Sequence, residues 1–571
     1  MKLFFLIITS LVFCVFAGTF ALAAETPAAL PSTVEPSQVG QSLSQPSPEL
    51  PTAAPSVTAP QAEETPAEAA AKKITFNLKK IILHGNRVYS EQQLSALYQD
   101  KIGKTISVAD LFHIVQDITN YYRNNGYILS RALLPPQRIK NGVVTIEIIE
   151  GFVDKVSVEG NPGQVAKLIQ IYGDKIQLVQ PLEIKQMEHY LLLVNEVPGV
   201  KVRAVLSPSK KTRGAADLFL VTEMKRLTGY ASYDNYGTRY IGPQQMTASI
   251  SVNSGLMGGD ATRLTYVKTP RGKELNYIDL SYNAPIGSQG TRLIVGGTQT
   301  LTNPLFALTA AKVAGTNENY YVLVQYPILR SRLQGLTLQG GFNYLDSQVT
   351  SFDIPVYTDH LRSVSLSASY NFTDRFYGSN FANIGMEQGL LILGATQNSN
   401  STTISRFGGQ GDFTKANLQL GRLQAIKYPV SLYATLKGQY AFTPLLAASQ
   451  FPYGGSQLGR AYDPAEIIGD RGVGGTLELR FDWALERFFI NNLQFYGFYD
   501  AGEIWNIKKN SGQPMQQSAT STGVGTRFWL TKWVSGNVMF TQPLSKKVAA
   551  EQLIGNGSRP RVFFSVMASV D

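Results

Sequence analysis

The sequence predicts two fold classes in one chain: an α+β region of two compact units, followed by an all-β transmembrane barrel of about 16 antiparallel strands. Three observations carry this. An order of strand, two helices and two strands occurs twice between residues 73 and 224. From about Leu227 the helical period gives way to alternation of period two. The chain opens with an export-like apolar segment, and no later apolar run approaches the ~20 residues that a membrane-crossing helix needs.

The opening segment has Lys2, an apolar stretch from Leu3 to about Phe20, and the small-residue exit Ala21-Leu22-Ala23. It reads as a signal peptide over residues 1–23. Cys14 is the chain's single cysteine and lies inside it, behind Phe13, which is too bulky for a lipid-attachment site. The mature chain is therefore expected to carry no disulfide and no thiolate site. Residues 24–72 are rich in Pro, Ala, Ser, Thr and Glu, a composition that buries too little apolar surface to offset ordering entropy. They are expected to be a flexible linker, with a short helix possible at its end in "AEETPAEAAAKK".

The first unit spans 73–151. "LKKIILHGN" is a strand ending at a Gly-Asn turn, and Ser90 with Gln93 three residues on caps a helix. A longer helix follows Ser107, with Val108, Leu111, Ile114, Val115, Ile118 and Tyr122 on one face and Gly126 as its stop. "ILSRALLP" and "GVVTIEIIEG" are the closing strands. The second unit, 152–224, repeats the order: "VDKVSVEGN", helices near Gln164–Tyr172 and Leu182–Asn195, then strands near Val200–Pro208 and Ala216–Glu223.

Residues 225–571 are the barrel. In "LTLQGGFNY", Leu336, Leu338, Gly340, Phe342 and Tyr344 face one way, with Thr337, Gln339, Gly341 and Asn343 opposite. "SVSLSASYNF" and "SLYATLKGQYAF" repeat the pattern. Apolar residues with aromatics at the strand ends against a Ser/Thr/Asn/Gln face suit lipid outside and water inside, and roughly 345 residues at about 20 per strand and loop give ~16 strands. In a membrane only a closed barrel or a helix satisfies every backbone group.

No catalytic address is visible. Gly103-Lys104-Thr105 resembles the end of a phosphate loop, but Tyr98 stands where the leading glycine belongs. His84, His113, His189 and His360 show no ligand spacing, so no metal is expected. No cofactor is implied. The net charge of +10 on an exported chain points to anionic lipid or an acidic protein rather than to nucleic acid. Asp463, Glu466 and Asp470 read as a solvated loop flank. Glu478 and Arg480 face the lumen, either as separate pore-lining charges or as a mutual network.

The two repeats resemble POTRA domains, the periplasmic modules of the Omp85 superfamily. The most specific piece, "LLLVNEVPGVKVRAVLSPSKKTRGAADLFLV", resembles the second, ShlB-type POTRA of two-partner secretion transporters. "YGGSQLGRAYDPAEIIGDRG", residues 453–472, resembles loop 6 of that superfamily, whose Val-Arg-Gly-Tyr/Phe tip returns into the barrel. Arg460 and Tyr462 match the motif, while Gly459 and Ala461 depart from it, so a left-handed turn at Ala461 is in question. "FYDAG" matches the partner motif through Asp500 and Gly502, and the alternation of Phe495, Gly497, Tyr499 and Ala501 turns Asp500 inward.

The resemblance implies a hemolysin-activator-like outer-membrane transporter of a Gram-negative bacterium, not an enzyme, with its POTRA domains in the periplasm. The implied partners are a secreted TpsA-type exoprotein (hemolysin, hemagglutinin or adhesin), membrane lipids and lipopolysaccharide, and the barrel-assembly machinery that inserts it. A monomer is expected. A barrel-assembly factor and a passive porin are the alternatives. The implied latch is Arg460, Tyr462, Asp500 and Gly502. The candidate substrate-binding edge is Ile128, Leu129, Ser130, Arg131, Ala132, Leu133 and Leu134.

Overall fold

A computed structural model describes residues 30–44, 57–58, 74–397, 401, 403–487, 490–507 and 513–570. The signal segment and the stretch "AEETPAEAAAKK" lie outside the described residues. Two short strands come first: β1 (Val57–Thr58) and β2 (Thr75–Asn77).

The first unit continues with β3 (Lys80–His84), β4 (Thr105–Ser107), β5 (Arg131–Leu133) and β6 (Val143–Ile149), with helices Glu91–Ser95 and Val108–Asn124. Its main sheet runs β3-β6-β5. Both helices start in capping boxes, Ser90 with Gln93 and Ser107 with Asp110, which satisfy backbone N–H groups that have no partner inside the helix. Leu111, Ile114, Ile118 and Tyr122 then lie one above the other against Val144, Ile146 and Ile148, closing a small core.

The second unit is β7 (Phe152–Gly160), helices Ala166–Gln177 and Ile184–Asn195, β8 (Val200–Pro208) and β9 (Ala215–Met224). Its sheet has the order β1-β8-β9-β7, so a piece of the linker, β1, is added in parallel to the β8 edge, Val57 beside Ala204 and Thr58 beside Val205.

The barrel is β10 (Leu227–Asp234), β11 (Gln245–Asn253), β12 (Ala261–Lys268), β13 (Leu275–Ile286), β14 (Thr291–Thr302), β15 (Val313–Arg330), β16 (Gln334–Ser351), β17 (Ile354–Thr373), β18 (Ser379–Gly389), β19 (Thr414–Lys427) and β20 (Val430–Ala441). A short ribbon of β21 (Phe451–Tyr453) and β22 (Ile467–Gly469) interrupts it. It then resumes with β23 (Arg471–Arg487), β24 (Ile490–Trp505), β25 (Gln516–Trp529), β26 (Val534–Pro543) and β27 (Arg561–Val570). Sixteen antiparallel strands close through β27 onto β10. The expected alternation holds: Leu338, Leu366, Tyr440 and Tyr499 are exposed on the outer wall, while Ser347, Asp359 and Asp500 are buried within. Among the described residues no helix is long and apolar enough to cross a membrane.

The second unit is fastened to the barrel turns by Arg330 with Glu196 at 2.6 Å and Arg332 with Glu188 at 2.8 Å. The linker differs from expectation over 30–44. There the chain forms a helix, Pro36–Ser44, whose Pro36, Ser37, Gln38, Val39 and Gly40 are buried. Val34 and Val39 pack with Tyr240, Ile241, Leu275 and Tyr277. Gln38 Nε2 donates to the Ala447 carbonyl at 2.7 Å and Gln41 Nε2 to that of Ala448 at 2.6 Å. Composition misleads here because the segment builds no core of its own: Val34 and Val39 dock on an apolar patch of the barrel, and its amide side chains bond carbonyls of the loop region.

Candidate functional site: a loop folded back into the lumen

After β20 the chain turns inward instead of out. β21 and β22 pair with each other, Phe451 opposite Gly469 and Tyr453 opposite Ile467, and carry residues 454–466 into the barrel. The glycines make the path possible. Gly459 has φ +73°, and a Cβ there would stand 2.6 Å from the Tyr453 ring. The left-handed residue of the tip is therefore Gly459 rather than Ala461, and the Tyr462 N–H closes the turn onto the Gly459 carbonyl at 2.8 Å.

That turn presents Arg460 to β23 and β24. Its guanidinium donates to Asp500 through Nη2 at 2.8 Å and Nε at 3.1 Å, and its backbone N–H reaches the same carboxylate at 2.9 Å. Nη1 donates to Glu478 at 2.5 Å, and the guanidinium lies 3.5 Å over the Phe498 ring. Arg460 is 5% exposed and Asp500 0%. Thr476 and Ser521, the cross-strand neighbours of Asp500, donate hydroxyl bonds to it. Burial works against the charge, but Asp500 and then Glu478 hold the Arg460 guanidinium above its ordinary pKa. Two N–H bonds to one carboxylate fix orientation as well as distance.

Glu478 proves to be the hub of a network. It also accepts from Arg480 at 2.7 Å and Arg527 at 2.8 Å. Tyr462 packs under the loop and donates to the Thr520 carbonyl at 2.9 Å. Gly502 takes no part in the ion pair; a Cβ there would meet the Tyr453 ring at 2.2 Å, so its role is to leave room for that ring.

The acids of the loop flank are not solvated as expected. Asp463 is buried and paired with Arg561 of β27 at 2.6 Å, Glu466 with Lys546 at 2.8 Å, and Asp470 with Arg406. Burial pushes the Asp463 carboxyl up to about 6, against the pull of Arg561. The cations come from strands and loops distant in sequence, so the only advance signal was alternation placing Glu478 on the lumenal face.

The segment 128–134 behaves differently from a free edge. Ile128 and Leu129 pack against the core of the second unit, and Leu134 against that of the first. The buried Ser130 accepts the Gly151 N–H at 3.2 Å. Only Arg131–Leu133 form a strand, and the N–H of Ala132 already donates to Thr119 Oγ1 at 3.0 Å. The segment is chiefly the junction between the two units.

Comparison with known proteins places this geometry. Residues 218–528 match the family model described as haemolysin secretion/activation protein ShlB/FhaC/HecB, and residues 76–151 match the POTRA domain, ShlB-type. The ShlB-type match thus falls on the first unit. The heme/hemopexin transporter protein HuxB of Haemophilus influenzae (strain 86-028NP) is 24% identical over 501 residues, 86% of this chain and 87% of the relative. The outer membrane transporter CdiB of Dickeya dadantii is 20% identical over 482 residues, 82% of this chain and 83% of the relative. Among solved structures, CdiB from Escherichia coli has a TM-score of 0.68 at 17% identity, covering 89% of this chain and 93% of that one. BamA from Haemophilus ducreyi, lacking POTRA domains 1–3, has a TM-score of 0.51 at 14% identity, covering 87% of this chain and all of that one. Both likenesses are of fold.

Proposed function

The chain belongs to the haemolysin secretion/activation family, outer-membrane transporters of two-partner secretion, and from that membership we propose that its POTRA units capture an unfolded exoprotein by strand addition for passage through the barrel. The POTRA units lie in the periplasm. The observation that carries the capture mode is β1: an extended piece of the chain already sits in parallel along β8, which is how such an edge receives a peptide. Strand β5 is a second, shorter and partly covered edge at Arg131–Leu133, where Thr119 already takes the Ala132 N–H. Capture therefore competes with the linker at β8.

The barrel carries no catalytic role in this reading. It works as a monomer, surrounded by lipid and lipopolysaccharide and inserted by the barrel-assembly machinery. Its lumen holds both the Pro36–Ser44 helix and the 453–472 loop, so the described arrangement is a closed one. Passage requires the helix to leave and Arg460 to release Asp500.

A photo-cross-linking side chain placed at the exposed Arg203 of β8 or at Arg131 of β5 tests the capture step in the full transporter. Cross-links to the exoprotein at Arg203 are expected, together with loss of its secretion when the transporter gene is deleted. Secretion without a cross-link at either edge would refute capture by strand addition. Secretion in the deletion strain would refute the pairing itself.

A further inference from the structure

The seat of the Pro36–Ser44 helix contains an arrangement the transport reading does not use. Glu35, immediately before the helix, is 9% exposed inside the barrel. Its Oε1 accepts from Ser37 Oγ at 3.1 Å and from Ser347 Oγ of β16 at 3.4 Å. Ser347 is flanked across the sheet by Asn317 of β15 and Asp359 of β17, so one row of the lumenal wall reads Asn317, Ser347, Asp359. Asp359 is 0% exposed. Its Oδ1 accepts the Ser405 N–H at 3.0 Å, while its Oδ2 and the Asn317 Oδ1 are buried acceptors with no donor.

The charge of Asp359 acts on Glu35, and Tyr357 faces Glu35 from the same strand as Asp359. Among the described residues neither carboxylate makes an ion pair with a Lys or Arg. The imidazole next in sequence, His360, bonds instead to Asp346 at 2.8 Å. This is the reverse of the 453–472 loop, where Asp463, Glu466 and Asp470, and Asp500 facing the loop from β24, each have a cation. A buried carboxylate without a countercharge, set near a second buried carboxyl, is costly to ionise, so the seated state favours the protonated form of Glu35.

We propose that Glu35, seated beside the buried Ser347–Asp359 row with no cation to pair with among the described residues, is protonated while the helix is seated, and that loss of this proton unseats the helix, making it a pH-sensitive stopper of the pore. Burial, against the pull of the facing Tyr357 hydroxyl and with help from the charge of Asp359, pushes the Glu35 carboxyl up to about 7. The sign follows from linkage. The seated state binds the proton more tightly than the released one, so seating is fully favoured below the ordinary glutamate pKa of about 4.5 and weakens as pH rises through about 7. Across that window the ratio of released to seated helix rises on the order of 100-fold.

The test is channel opening of the full-length protein in planar lipid bilayers between pH 5 and 8, in EDTA, for wild type, Glu35→Gln and Asp359→Asn. Wild-type opening should rise steeply with pH. Both variants should flatten the dependence, with Glu35→Gln staying closed at pH 8. Glu35→Gln changes no barrel residue, so its result stands if Asp359→Asn fails to insert. A flat wild-type profile, or an unchanged slope in Glu35→Gln, would overturn the proposal. So would opening that follows added calcium at fixed pH but not pH itself.

Discussion

Replacing Arg460 by Ala should release the loop tip, and the structure sets the size of the effect. Arg460 gives Asp500 two guanidinium bonds and a backbone bond, gives Glu478 another, and covers Phe498. Glu478 keeps Arg480 and Arg527 after the substitution, so the loss concentrates on Asp500, left in a fully buried site without a cation and with only the backbone N–H of residue 460 and the Thr476 and Ser521 hydroxyls as donors. Removing one partner of a buried pair costs about 3–5 kcal/mol, most of it the penalty of the charge left behind. At about 1.4 kcal/mol per factor of ten, released tips become more frequent by roughly two to three and a half powers of ten. Removing both charges lifts that penalty. Arg460→Ala/Asp500→Ala should therefore be milder than the sum of the single variants by about 2–3 kcal/mol. Arg460→Lys, which keeps the charge but loses the planar fork, should fall between wild type and Arg460→Ala. Opening frequency in bilayers and protease sensitivity of residues 453–472 read the same equilibrium. Single effects that add in the double variant would refute direct coupling.

Two further substitutions test the shape of the lumen. Gly459→Ala forces a side chain into φ +73° and against the Tyr453 ring, so it should cost at least about 1–2 kcal/mol of tip docking; protease protection equal to wild type would contradict this. Gly40→Val puts a branched side chain where even a Cβ stands 2.7 Å from the buried Thr300 Oγ1. It should raise conductance several-fold toward that of a chain lacking residues 30–44, and unchanged conductance would show that the helix does not occlude the pore.

The barrel was legible because lipid on one side and a polar lumen on the other impose a period of two, visible at Leu338 and Leu366 without any partner being known. The same parity turned Asp500 inward, and the structure brings it to Arg460. What stayed hidden depends on long-range pairing. Asp463 and Arg561 are 98 residues apart, so nothing local announces that a buried cation awaits the acid. The Pro36–Ser44 helix escaped notice because the buried apolar anchors of its segment, Val34 and Val39, dock on Tyr240, Ile241, Leu275 and Tyr277 far along the chain, and its amide side chains bond carbonyls of the loop region. Ile128 and Leu129 looked like strand residues, but their apolar side chains serve the contact between the two POTRA units.

The occupants of the lumen are fastened differently, and this orders their release. The helix segment holds the loop region through neutral bonds: Ser32 Oγ to the Ala465 carbonyl at 2.6 Å, Gln38 to the carbonyls of Ala447 and Gln450, and Gln41 to that of Ala448. Each contributes on the order of 1 kcal/mol net, and water can replace each as the helix slides out. The loop tip is held by buried charges that need a new partner before they let go. None of the four neutral bonds involves Arg460, Asp500 or Glu478. The helix can therefore leave with the tip still locked, and its exit removes the hydroxyl bond on Ala465, a left-handed residue at φ +54° whose strain the seated helix helps to hold. Unseating the helix thus loosens the return arm of the loop before Arg460 moves, so a proton lost at Glu35 acts on the first step and a polypeptide arriving in the lumen on the second.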